Sequence, residues 1–378
     1  MKGIRNGKII LPDRIEEEGV LIFDSAVKGI VSEDEARQLC DEIVDVSGAY
    51  VSPGFVDVHT HAYFGKDVSD GEAEGIRIMA EKILRNGITS FCPTTMTVSL
   101  EDIQKSLDVC RELKVKSRVW DGAEILGVHA EGPFINPARK GAQNEAHILP
   151  PDADFVLKNK DIIRIMTIAP EMPGMEEFVR TVREACDVVL SVGHTCADYD
   201  QTRAAVSWGV THSTHTFNAM VGIHHRDPGT VGAVLTSPEV YCELIVDTFH
   251  VHPGLFRMLY DLKKEKLVAV TDTIAAAGLP DGVYSSGGLR VTLKGIECRL
   301  DDGTIAGSVL QMNHGVGNVL KYTGLPLHEV INLFSRNPAA SVGATEKGTL
   351  EPGKDADIIL MNESFEVLSA YRCGNKVF

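Results

Sequence analysis

Two hydrophobic periods alternate through the middle of the chain. Gly54–His59 is a mainly apolar, strand-like run. Ile76, Met79, Ala80, Ile83 and Leu84 then recur at three- and four-residue spacing, which lines one face of a helix, and Gly87 follows as a stop. Ile88–Cys92 returns to the strand pattern. Ser99 with Asp102 reads as a helix start, and Ile103, Leu107 and Cys110 continue that face. The same reading predicts strands at Glu124–Glu131, Ile162–Ala169, Val188–His194, Val210–His215, Tyr241–Asp247 and Leu267–Asp272. It predicts helices at Met175–Ala185, Tyr199–Trp208 and Pro253–Lys264. Eight strands, mostly spaced by helices within about 250 residues, fit a closed parallel barrel. A doubly wound open sheet is the alternative, but no Gly-rich phosphate loop follows the first strand.

Both ends of the chain read differently. Residues 1–50 hold short strands at Lys8–Leu11, Gly19–Phe23 and Glu42–Val46, with one short acidic helix, Ser32–Leu39. Gly353–Leu360 is a turn feeding an apolar strand. These two strand sets are expected to pair into one small β-sandwich domain, residues 1–50 plus 348–378. The fold class is therefore α/β: a (β/α)8 TIM-like barrel over 51–347, carried on that small domain. Glycines 282, 287, 288, 295 and 303 interrupt the barrel pattern, which predicts a hairpin insertion at 281–306 after the eighth strand. Helices at Leu310–Lys321 and Leu327–Phe334 then close the barrel.

Charge narrows the partners. The formal net charge of −16 disfavours nucleic acid and anionic lipid as partners, while leaving room for an anionic ligand in a locally cationic pocket. The eight cysteines form no CxxC pair, and several, such as Cys92 and Cys242, sit in apolar runs. They read as buried, reduced thiols. Met1–Asp13 has no apolar signal segment and no stretch approaches a membrane span, so the expected location is cytoplasmic.

The candidate chemistry lies at the strand ends, where barrels of this kind keep their active sites. The first strand ends His59-Thr60-His61, and residues two apart on a strand point to the same side. The third ends His129-Ala130-Glu131, the fifth in His194, the sixth in His215 and the eighth in Asp272. A lone histidine there is more often a satisfied polar residue than a ligand, and an Asp before Thr can simply cap a helix. Five strands carrying such groups at one end is another matter, because structural histidines would scatter. Imidazole and carboxylate are the usual ligands of zinc and related ions. A bound divalent ion acidifies water and polarises a carbonyl, and Asp272 is placed to move protons, which suits hydrolysis of an amide or ester. No GxSxG elbow and no flavin or nicotinamide fingerprint competes. Outside this cluster, His147, His252, His314 and His328 read as surface groups, Trp120 and Trp208 as packing. His129 shares a face with Glu131 and is expected to orient it.

Pro53–His61 resembles the opening motif of the amidohydrolase superfamily. The chain is similar, more narrowly, to its N-acetylglucosamine-6-phosphate deacetylases. The matching segments run in order along nearly the whole chain: Pro93-Thr94-Thr95, His129–Phe134, Lys140–Gln143, Gly193–Thr195, His215–Met220, His225–Gly229, Asp247–Val251, Thr271-Asp272 and Leu350–Asp357. The resemblance implies a main metal on Glu131, His194 and His215, and a second ion on His59 and His61 with Glu131 between them. The cofactor would be a divalent ion, zinc first and iron, manganese or cobalt otherwise, one or two per subunit. Asp272 would be the acid/base. Ala142, Gln143, Asn218, Ala219, Ala306 and Gly307 would line the sugar pocket. Arg226 and His250 would bind the 6-phosphate, the arginine reaching in from the second subunit of a homodimer. A guanidinium fork suits a phosphate dianion. The chain departs from the pattern at three places: Gln143 stands where many relatives have a histidine, Ala62 where glycine is common, and the pair Thr248-Phe249 where a glycine-containing pair is usual. An N-acetylgalactosamine-6-phosphate deacetylase, a cyclic-amide hydrolase or deaminase on the same barrel, and a non-catalytic sugar-phosphate sensor are the alternatives.

Overall fold

The computed structural model describes residues 1–378. Its centre is a parallel ring of strands in chain order: Phe55–Thr60, Ile88–Thr95, Val128–Glu131, Ile163–Ile168, Val189–Val192, His212–Ser213, Tyr241–Ile245 and Leu267–Val270. The last gap, between Leu267–Val270 and Phe55–Thr60, is bridged without a regular ladder. The Asp272 N–H donates to the His59 carbonyl at 2.8 Å, and the Thr271 hydroxyl donates to Asp57 Oδ2 at 2.6 Å. That seam sets the first and eighth strand ends, each carrying candidate site residues, side by side.

Helices shield the outside, and their apolar faces join the strands in the main core. Ala73–Leu84 buries Ile76, Met79, Ala80, Ile83 and Leu84, the residues whose spacing predicted it. Leu100–Ser117 begins at Ser99, whose hydroxyl accepts from the Asp102 N–H, the cap expected from the sequence. Three short helices escaped the sequence pattern: Ala153–Lys158, Gly229–Leu235 and Arg336–Ser341. Gly229–Leu235 is buried on every side, so it has no polar face to reveal its period. The buried Lys263 ammonium donates to the Val234 and Ser237 carbonyls at 3.0 and 2.6 Å and closes its C-terminal end.

Some boundaries move. The predicted strand Glu124–Glu131 divides into Glu124–Ile125 and Val128–Glu131. Gly127 between them holds φ +144, and a Cβ there would meet Arg164 Cβ and the Ile162 carbonyl at 2.9 Å. The insertion is a three-stranded antiparallel sheet, Gly282–Ser286, Leu289–Lys294 and Glu297–Leu300, rather than a simple hairpin.

The two chain ends form two further sheets. One is four-stranded, from Lys2–Arg5, Val20–Phe23, Val27–Val31 and Glu42–Asp45. The other is six-stranded and joins Lys8–Ile10, Ile15–Glu16 and Tyr50–Pro53 to Ile358–Met361, Val367–Arg372 and Asn375–Lys376. Their facing side chains, among them Ile4, Leu21 and Phe23 on one and Ile9, Val51, Ile358 and Tyr371 on the other, make a separate core. A buried ion cluster fastens this unit to the barrel. Lys347 Nζ lies 2.7 Å from Glu124 and 2.8 Å from Asp357, and Arg372 reaches the same Glu124 carboxylate at 2.8 Å.

Candidate active site

The strand ends converge on one buried polar cluster. His59 and His61 leave the first strand toward the same point, their Nε2 atoms 3.2 Å apart. Glu131 stands between them and the other two histidines. Its Oε1 lies 3.3 Å from His194 Nε2, 3.0 Å from His215 Nε2 and 3.4 Å from His59 Nε2, while its Oε2 lies 3.2 Å from His61 Nε2. Asp272 Oδ1 is 3.4 Å from both His59 and His61. The chain reaches these positions by turning sharply off the strands. His194, His215 and Asp272 hold φ of +48, +30 and +52, each just past a strand end and in the left-handed region that side chains disfavour.

The electrostatics follow from burial and mutual contact. Burial opposes a proton on His59, but Asp272, Glu243 and Glu131 outweigh it and push the group up to about 9. Burial is likewise outweighed at His61, where Asp272 and Glu131 raise the imidazole to about 10. Burial works against charge on Glu131, yet His194 and His59 hold its carboxyl well below the ordinary range. Asp272 is lowered in the same way, burial being overcome by His59, His61 and His215. Beneath them Asp57 is raised to about 7 by burial, in spite of the Thr271 hydrogen bond.

The donor chemistry suits divalent ions. Four imidazole Nε2 atoms and the Glu131 and Asp272 oxygens face one another at 3.0–3.4 Å, an arrangement that shared cations satisfy. Two donor triads share Glu131: His59, His61, Glu131 and Glu131, His194, His215. One non-ligating nitrogen is held in each of two imidazoles, His194 Nδ1 by the Arg139 carbonyl at 2.8 Å and His59 Nδ1 by Glu243 at 2.8 Å.

Above the cluster opens a cavity of about 370 Å³. His61, Glu131, His194, His215 and Asp272 form its floor, and Ala142, Gln143, Asn218, Ala219, His250, Ala306 and Gly307 line its walls. His250 is fixed by Asp247, Nδ1 to Oδ2 at 2.6 Å. The inserted sheet supplies an apolar wall through Leu289, Val291 and Leu300. It is tied down where Asp67 Oδ2 accepts from the Ser286 hydroxyl at 2.8 Å and the Gly287 N–H at 3.0 Å.

Several expected residues sit differently. His59 lies below the cavity surface, fully buried. Arg226 is on an exposed loop outside this chain's cavity, where its guanidinium donates to His225 Nε2 at 2.7 Å. Gln143 lines the cavity, but its amide also engages the metal-type cluster: Nε2 donates to Glu131 Oε2 at 2.5 Å, and Oε1 accepts from the Thr97 N–H at 2.6 Å. His129 does not orient Glu131. Its nitrogens meet the Val58 carbonyl and the Thr167 hydroxyl, and burial drives its pKa down to about 3. The sequence reading missed Glu243, a lone acid in the apolar strand Tyr241–Ile245, as well as Met96, Arg139 and Ser286 on the cavity wall.

A parallel barrel with histidines and carboxylates converging at its strand ends defines a metal-type hydrolase architecture, and residues 50–378 match the amidohydrolase family, to which the chain belongs. Relatives that match it over nearly its whole length include amino-sugar-phosphate deacetylases. The N-acetylglucosamine-6-phosphate deacetylase of Bacillus subtilis is 34% identical over 99% of this chain and 96% of its own length. The N-acetylgalactosamine-6-phosphate deacetylase of Escherichia coli O157:H7 is 33% identical over 93% of this chain and 90% of its own. Among solved structures, a mutant N-acetyl-D-glucosamine-6-phosphate deacetylase from Mycobacterium smegmatis, in complex with N-acetyl-D-glucosamine-6-phosphate, superposes with a TM-score of 0.90 at 29% identity, covering 100% of this chain and 98% of that one.

Proposed function

We propose that the chain hydrolyses the acetamide of N-acetylglucosamine 6-phosphate, giving glucosamine 6-phosphate and acetate. The observation that carries this reading is the floor of the cavity, where two donor triads share Glu131 and Asp272 faces them at hydrogen-bond range. Glu131, His194 and His215 would hold one divalent ion, and His59, His61 and Glu131 a second. Such ions, zinc first and iron, manganese or cobalt otherwise, acidify water and polarise the acetyl carbonyl when bound. Asp272 takes a proton from the attacking water as the new C–O bond forms. It returns that proton to the nitrogen as the C–N bond breaks, so the amine leaves neutral together with acetic acid, which gives up the second water proton to yield acetate and protonated amine.

The walls hold the sugar. Asn218, Ala219, Ala142, Ala306 and Gly307 surround the ring, and His250 meets the phosphate. Arg226 completes the phosphate site from the neighbouring subunit of a homodimer, which agrees with its exposed place outside its own chain's cavity. Gln143 supports Glu131 rather than acting as a charged oxyanion donor. The eight cysteines are unpaired and no helix is long and apolar enough to cross a membrane, in keeping with a cytoplasmic enzyme.

The galactosamine epimer is the second reading, favoured by the 33% identical relative. Steady-state kinetics on both 6-phosphates and on unphosphorylated N-acetylglucosamine test substrate and phosphate site together. The glucosamine derivative should give the highest kcat/KM, and Arg226→Ala should raise KM for it by about 10-fold or more, as expected for a charged contact of roughly 1.5–3 kcal/mol. An equal effect on the unphosphorylated sugar removes Arg226 from the phosphate site.

A further inference from the structure

Glu243 joins the two halves of the metal-type cluster from beneath. It is fully buried in the strand Tyr241–Ile245 and does not reach the cavity. Its Oε2 accepts from His59 Nδ1 at 2.8 Å and from the His215 backbone N–H at 2.9 Å, and its Oε1 lies 3.2 Å from His212 Nε2. His59 belongs to one donor triad and His215 to the other.

The two contacts do different work. A carboxylate against Nδ1 requires the hydrogen to sit on that nitrogen, which leaves the Nε2 lone pair of a neutral His59 aimed at Glu131 and Asp272. The contact with His215 anchors backbone. His215 holds φ +30, and the N–H···Oε2 bond pins the turn that presents its imidazole. One side chain thus sets a ring orientation on one side and a strained turn on the other.

We propose that Glu243 is a positioning residue for both ion sites: it fixes His59 as an Nε2 ligand of the second ion and holds the turn that brings His215 to the first. The proposal rests on the two-ion reading given above. Glutamine at 243 keeps an acceptor for both N–H groups but loses the charge that raises the basicity of His59. Alanine loses both.

The test is zinc titration of the metal-free chain by calorimetry, with bound ions counted after gel filtration, for the wild type, Glu243→Gln and Glu243→Ala. Two ions per wild-type chain are expected. Glu243→Gln should keep both, the second bound about 10- to 100-fold more weakly. Glu243→Ala should keep no more than one, with circular dichroism reporting its fold; if it does not fold, the glutamine variant decides. Unchanged zinc affinities in Glu243→Gln, or a wild type that takes a single ion, overturn the proposal. Acetate release by the wild type is measured in parallel. Weakened zinc binding in Glu243→Gln without acetate release in the wild type supports the role of Glu243 and overturns the substrate assignment alone.

Discussion

His194, His215 and Asp272 each adopt a left-handed backbone conformation that costs a non-glycine residue about 1–3 kcal/mol. The cost is met where the chain must leave a strand and still point an imidazole or carboxylate across the ring. The sequence showed these residues as strand ends, because an apolar run closing on a polar group is visible in the pattern. It did not show the turn, since nothing in the identity of a histidine announces a positive φ. Nor did it show Glu243 or the bond from Gln143 to Glu131, because both depend on partners distant in the chain. The one signal of Glu243 in the sequence is its place as a lone glutamate in an apolar strand, which needs a buried partner. Asp272→Asn keeps the size of the side chain and removes its ability to take a proton. It should retain the wild-type metal content, counted by elemental analysis, and lose about 10²- to 10⁴-fold in kcat. Full activity in this variant would dismiss Asp272 as the acid/base.

Elements were legible in proportion to their amphipathicity. Ala73–Leu84 and Leu100–Ser117 each expose one face, and their spacing revealed them. Gly229–Leu235 exposes none and went unseen. The inserted sheet was announced by its glycines, although its third strand was not. Its function as a cavity wall depends on how it is tied down, and Asp67 is the tie. Asp67→Ala leaves the Ser286 hydroxyl and the Gly287 N–H without their acceptor. The expected outcome is a several-fold rise in KM with little change in kcat, together with faster proteolytic cleavage near residues 282–300. Unaltered KM and cleavage would mean that the sheet is held by its own packing.

At the scale of the whole molecule, the barrel and its attachment to terminal sheets followed from the alternation of periods and from strand-like ends. The clamp between them did not, because Glu124, Lys347, Asp357 and Arg372 look like ordinary surface charges in a linear reading. Burial opposes charge on Asp357, but Lys347 and Arg372 hold its carboxyl below the ordinary range, and Lys347 is raised by Asp357 and Glu124 against its own burial. The depressed Asp357 stabilises the fold above the ordinary carboxylate range, and that contribution is lost as pH falls through its lowered value. The raised Lys347 contributes below its ordinary range and loses that only at strongly alkaline pH. The clamp's contribution, read as the difference in urea midpoint between the wild type and Lys347→Met, should therefore be level through neutral pH and shrink on acidification. Lys347→Met should cost about 3–5 kcal/mol at neutral pH by stranding buried carboxylates; a loss below 1 kcal/mol would show that the cluster is dispensable. The central claim, a metal-dependent deacetylase of an amino-sugar phosphate, meets its most direct test in one assay. The purified chain is supplied with N-acetylglucosamine 6-phosphate, and acetate and free amine are quantified before chelation, after chelation, and after zinc is restored. Equimolar acetate and amine that vanish with the metal and return with it are the predicted result, whereas no release from the zinc-loaded chain, or release that survives complete removal of metal, would contradict the account.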